Sequence, residues 1–89
     1  SAVLEALACG LPVVTSESCG ARDAARELDR DMVCDALDIN GIASAADRAL
    51  SLAAQGETKL RCRAIAEQYR MEFMIERMLA LYEKLAAAK

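Results

Sequence analysis

Residues Ser1 to Gly20 read SAVLEALACGLPVVTSESCG, and their order predicts a helix, a stop, a buried strand and a polar loop. Ala, Leu and Glu from Ser1 to Cys9 favour a short helix. Gly10 can adopt the left-handed conformation that closes one, and Pro12 prevents the helix from resuming. Val13, Val14 and Thr15 are β-branched and suit a short buried strand. Ser16 to Gly20 then forms a polar loop at the carboxyl end of that strand, where ligands bind in open α/β sheets. This is one piece of a nucleotide-binding sheet.

The run Glu5-Ala6-Leu7-Ala8-Cys9-Gly10-Leu11-Pro12-Val13-Val14-Thr15-Ser16 closely resembles the E-A-x-A-x-G-x-P-V-V-x-[ST] segment of retaining GT-B glycosyltransferases, specifically glycosyltransferase family 4. In that family two Glu residues are separated by seven others, and the second binds the ribose hydroxyls of the nucleotide-sugar donor. Glu5 matches the second, and the first falls upstream of Ser1, so the resemblance implies a chain that begins inside the motif. Gly20 and Asp23 stand where the family usually has G-x-x-E, with Asp replacing Glu. The close Ala80-Leu81-Tyr82-Glu83-Lys84-Leu85 is similar to the family's L-x-x-L-Y-x-x-L ending.

The resemblance implies an α/β fold: a partial, Rossmann-like C-terminal half-domain of a GT-B enzyme, mostly helical with two short parallel strands. Residues 1–89 would form the C-terminal part of the donor-binding domain, with 1–54 as the strand and helix segment and 55–89 as C-terminal helices. The activity implied is transfer of a sugar from a nucleotide-sugar, by default a UDP-sugar, to an acceptor hydroxyl with retention, without a metal or other cofactor. Glu5 would hold the ribose. The backbone of Ser1 and Ala2 would lie on the diphosphate side, and Ser16, Cys19 and Gly20 are further donor contacts. No residue of the chain is expected to act as a catalytic group. The acceptor, a glycan or lipid-linked hydroxyl, would be held by an N-terminal domain outside these residues, so the segment alone is expected to be inactive. The Thr15–Asp23 run points toward cell-surface or lipopolysaccharide glycan synthesis, in the cytoplasm or at the inner face of the membrane.

Composition agrees with a small piece of a larger fold. Eighty-nine residues allow one modest core. The chain is 55% hydrophobic, with one Phe and no Trp, and Ala-rich helices bury little area per residue. A net charge of −3 argues against a nucleic-acid partner. No apolar run approaches the roughly 20 residues of a membrane span.

Beyond Gly20, Ala21–Leu28 reads as a two-turn helix broken by Asp29-Arg30-Asp31, and Met32-Val33-Cys34 as a second short strand parallel to the first. Asp38 is the expected N-cap of a helix running to about Ala54. Its buried stripe is expected at Ile42, Ala45, Ala46, Ala49, Leu50 and Ala53, and Gln55-Gly56 ends it. The last third is helical from about Thr58. Cys62, Ile65, Ala66, Tyr69 and Phe73 form one stripe. Ile75, Met78, Leu79, Tyr82 and Leu85 continue it, on a second helix or after a bend near Met71. Charges of both signs on the outer face favour a solvated helix over a membrane-surface one.

Cys9, Cys19, Cys34 and Cys62 form no C-x-x-C and the chain has no His, which excludes the usual zinc ligand sets and leaves a cysteine nucleophile without a base. Free thiols are expected, with Cys19 the exposed one. Glu5 has apolar neighbours, so an idle carboxylate on a buried helix would be costly. A cis-diol, by contrast, offers it two charge-assisted hydrogen bonds. The competing reading is a non-catalytic helical interaction module using the Tyr69–Leu85 stripe. Another Rossmann-like binder is disfavoured by the lack of G-x-G-x-x-G. Unpaired strands and an uncovered stripe also predict that the segment alone either forms a homodimer or stays loosely packed.

Overall fold

The computed structural model describes residues 1–88. The order is α1 (Ala2–Ala8), β1 (Thr15–Ser16), α2 (Arg22–Leu28), a 3-10 turn (Arg30–Met32), β2 (Val33–Cys34), α3 (Ile39–Ala53) and α4 (Thr58–Ala87). The architecture is mostly helical around a two-stranded parallel sheet, with Thr15 opposite Val33 and Ser16 opposite Cys34.

The end of α1 follows from Gly10. Its amide donates to the Leu7 carbonyl at 2.9 Å and the Leu11 amide reaches back to Ala6 at 3.0 Å, with φ at +84° for Gly10. This is a Schellman closure, which requires a residue tolerant of the left-handed region. Val13 and Val14 pack half-buried against the core but stay outside the ladder. A ladder needs a partner, and β2 offers only two residues before Asp35 turns away. The expected strand at Val13–Thr15 is therefore displaced to Thr15–Ser16. Likewise Met32 belongs to the 3-10 turn and is fully buried, and the second strand holds only Val33 and Cys34.

Asp29 stops α2 and starts the 3-10 turn. Its carboxylate accepts from the Asp31 amide at 2.9 Å and pairs with Arg48 of α3 at 2.8 Å. Arg61 of α4 donates to the Leu28 carbonyl at 2.8 Å, satisfying an end group of α2 that its own helix cannot. Asp38 caps α3, accepting from the Gly41 amide at 3.0 Å. A Cβ on Gly41 would sit 2.6 Å from the Asp38 carboxylate, so glycine leaves room for the cap.

The core is formed by Val3 and Leu7 of α1, Ala24, Ala25 and Leu28 of α2, Met32, Leu52 of α3, and Cys62, Ile65 and Ala66 of α4. Two expectations about faces are corrected. In α3 only Ala45 and Leu52 are buried; Ile42, Ala46, Leu50 and Ala53 are exposed and Ala49 is half-buried. The helix lies over the sheet edge and the 3-10 turn, so a narrow line of contact replaces a broad stripe. In α1 the buried residues are Val3 and Leu7, whereas Glu5 and Ala8 are exposed. Glu5 is thus not a carboxylate forced into the interior.

α4 is one continuous helix of 30 residues, without a break at Met71. Cys62, Ile65, Ala66 and Tyr69 face the core. At about 100° per residue, that line continues through Phe73, Glu76, Ala80 and Glu83, and Met71, Met78 and Leu85 fall on roughly the opposite side. The apolar stripe changes sides near Arg70. Phe73, Ile75, Met78, Leu79, Tyr82 and Leu85 are accordingly all exposed, which corrects the single stripe expected from the sequence. The helix spans about 45 Å at 1.5 Å per residue, matching the long dimension of a 55 × 31 × 16 Å molecule.

Candidate functional site

α1 and α4 meet through residues that let them approach closely. Val3 and Leu7, one turn apart, insert toward Cys62, Ile65 and Ala66. Packing on that side turns Ser1, Leu4, Glu5 and Ala8 toward a groove whose other wall is α4, and its volume is about 680 Å³, within the ordinary range of ligand clefts. From α4 the groove takes Arg63, Glu67, Arg70 and Arg77, with Phe73 and Met74 as apolar lining.

Glu5 stands in the first turn of α1, where the helix dipole favours a negative charge. Among the described residues its carboxylate has no hydrogen-bond or ion-pair partner, and the same holds for Arg63 and Arg70. The guanidinium of Arg77 lies over the Phe73 ring, 5.7 Å from its centre, a cation–π arrangement. Elsewhere Arg26 makes a two-pronged contact with Glu17 at 2.9 and 3.0 Å and Arg48 is held by Asp29, whereas exposed Arg30 has no side-chain partner among the described residues.

Ser1 and Glu5 share this groove, and Ala2 heads α1. Ser16, Cys19 and Gly20 do not line it. The Ser16 hydroxyl lies 2.9 Å from that of Ser18, the Cys19 carbonyl accepts from Arg22 at 3.1 Å, and Gly20 is exposed. Asp23 pairs with Arg26 at 3.3 Å. All four cysteines are free thiols. The exposed one is Cys9, while Cys19 is half-buried, which reverses the expectation for these two: Cys9 caps α1 and points outward, and the Ser16–Cys19 turn folds Cys19 against the core. The Thr15 hydroxyl and the Ala21 amide hold the Cys19 thiol below its ordinary pKa, whereas burial pushes Cys62 up. Among the described residues no three His, Cys, Asp or Glu side chains converge as a metal ion would need, and no helix is long and apolar enough to cross a membrane.

The residues around Glu5 fall within a stretch, residues 1–70, that matches the family of group 1 glycosyl transferases. The chain belongs to that family. No curated relative and no solved structure matches it. The group 1 glycosyl transferase match takes in α1, the sheet, α2, α3 and the part of α4 that packs on the core. Ala80–Leu85 lies beyond it. Membership makes the chain part of a transferase that moves a sugar from a donor to an acceptor.

The charges of both signs expected on the outer face of this helix include Arg63, Arg70 and Arg77, which sequence reasoning did not single out. The signal that could have found them is their spacing: 63, 70 and 77 recur every seven residues, two turns apart and nearly in line.

Proposed function

We propose that residues 1–89 are the C-terminal part of the donor-binding domain of a retaining GT-B glycosyltransferase, and that Glu5 holds the ribose of a nucleotide-sugar. The observation that carries this is an unpaired carboxylate, inside the family-matched stretch, on the wall of a ligand-sized groove. A carboxylate there accepts both hydroxyls of a cis-diol, with charge-assisted bonds stronger than neutral ones.

In this reading the bond between the sugar's anomeric carbon and the phosphate oxygen breaks as a bond to the acceptor oxygen forms, and the acceptor's proton passes to the departing phosphate. Catalysis rests on positioning the donor and stabilising the diphosphate. The Ser1 and Ala2 amides stand on the diphosphate side, and Ser16, Cys19 and Gly20, which do not line the groove, take no part in this reading. A UDP-sugar is the donor and the hydroxyl of a cell-surface glycan the acceptor.

The test is donor binding by calorimetry in the protein expressed from its full reading frame. Glu5→Ala removes two charge-assisted hydrogen bonds from an exposed site, so affinity falls by well over about tenfold while the thermal midpoint stays in place. Unchanged affinity refutes the ribose assignment.

A further inference from the structure

The second half of α4 carries a pattern that neither the core nor the groove uses. As far as Tyr69 the helix turns Cys62, Ile65 and Ala66 into the core. Beyond it, Met71, Ile75, Met78, Tyr82 and Leu85 recur at alternating steps of four and three. That is the period of about 3.5 residues that keeps one seam of a helix turned toward a second helix. All of these seam residues are more than half exposed. The seam points about 130° around the helix from the core line, so a helix laid on it approaches from the side away from the core.

Met74, Leu79 and Leu81 border the seam and are equally open, whereas Glu76, Arg77, Glu83 and Lys84 lie behind it. At roughly 100 Å² of open surface each, seam and borders together come to about 800 Å², one partner's share of a standard interface. The upstream end of the seam is polar: Gln68 takes the next position and donates to the Glu72 carboxylate at 3.4 Å. A second copy of the chain brings the same seam, and the charges at its borders select the orientation. Glu67 and Glu72 are the charged residues there. In a parallel, in-register pair each Glu67 would face Glu72 of the other copy, and like charges so placed oppose association. In an antiparallel pair like borders face each other. Met74 then meets Leu81 on one side and Glu72 meets Leu79 on the other, with no carboxylate against another. The helix dipoles also run head to tail.

We propose that the second half of α4 is a homodimer interface, in which two copies of the chain pair antiparallel with Ile75 of each against Met78 of the other. The same register sets Met71 opposite Tyr82 and Gln68 opposite Leu85, so unbranched, adaptable methionine side chains pack against a ring and a branched chain. The two cores stand at opposite ends of the paired helices and do not collide. Met74, at the border of the seam, also lines the groove beside Glu5, and the second copy's helix therefore runs along the rim of that groove. The dimer stands independently of what the groove holds.

Sedimentation and cross-linking of the protein expressed from its full reading frame test this. The parent sediments as a dimer, and Met78→Glu and Tyr82→Glu each weaken the dimer about tenfold or more. For orientation, Met71→Cys and Tyr82→Cys are made in separate copies and mildly oxidised, and the joined peptides are mapped by mass. In the antiparallel pair the two variants join each other when mixed and neither joins its own kind. Each variant joining its own kind shows a parallel pair and overturns the proposal, as does an assembly larger than a dimer. A monomeric parent whose Met78→Glu variant melts at a lower temperature shows the face covered by the protein's own chain, which also overturns it. So does a monomeric parent that cosediments with phosphatidylglycerol vesicles, or one whose variant melts unchanged.

Discussion

Gly10 shows how one residue decides where the chain goes after α1. With φ at +84°, any L side chain there costs roughly 1–2 kcal/mol. An added Cβ would also run into the side chain of Lys59, which is flexible and can swing aside, so the backbone cost dominates. Gly10→Ala therefore lowers stability by about 1–2 kcal/mol, seen as a reduced urea midpoint with an unchanged slope. At the same scale the thiols divide by environment. The Cys19 pKa is lowered by the Thr15 hydroxyl and the Ala21 amide, so more thiolate is present near neutral pH. The Cys62 pKa is raised by burial, and its thiol is fully covered. Iodoacetamide at neutral pH labels Cys19 well before Cys62, as peptide mapping will show, and Thr15→Val slows Cys19. Titration of the unfolded, unreduced protein counts four thiols, in keeping with the free cysteines.

At the scale of elements, the junction of α2, the 3-10 turn and α3 depends on Asp29. Its pKa is lowered first by the Asp31 amide and then by Arg48, against the opposing effect of burial. A carboxyl whose folded pKa lies below its ordinary 3.8 stabilises the fold above that value, and the contribution is lost as pH falls through the folded pKa. Asp29→Ala thus costs roughly 1 kcal/mol at pH 7. The gap to the parent narrows below pH 3.8, where the parent itself loses the interaction. Denaturant melts at pH 7 and pH 3 check this; a gap that widens in acid contradicts it. Asp38 was legible as the cap of α3 because capping is a matter of three residues. The buried line of α3 was not. Ala and Leu occur on several of its faces, and only contact with the sheet edge and the 3-10 turn selects Ala45 and Leu52.

For the whole molecule the consequential feature is the reversal of faces along α4. Its first half is held by the core, and its second half exposes Met71, Met78, Leu81 and Leu85 at more than half their free area. A contiguous apolar face of this length is an association surface. The chain is expected to self-associate at tens of micromolar, measured by sedimentation. Met78→Glu, on the exposed face and outside the core, should restore a monomer whose melting temperature matches the parent's at concentrations low enough that the parent is monomeric too. A monodisperse parent at that concentration would remove the homodimer expectation.

What the sequence determined by itself is whatever a few neighbouring residues enforce: the glycine closure after α1, the cap at Asp38, the break at Gln55–Gly56, and two short parallel strands, of whose expected residues Thr15, Val33 and Cys34 entered the ladder. The E-A-x-A-x-G-x-P-V-V run was equally legible, since its residues are consecutive. Only the tertiary structure decided which side of each helix is buried, because an Ala-rich helix has no single apolar face until a neighbour covers one. It alone turned Glu5 out of the interior and set it across a groove from Arg63 and Arg70. That arrangement depends on Val3 and Leu7 packing against Ile65 and Ala66, a contact between residues some 60 positions apart that no local pattern encodes.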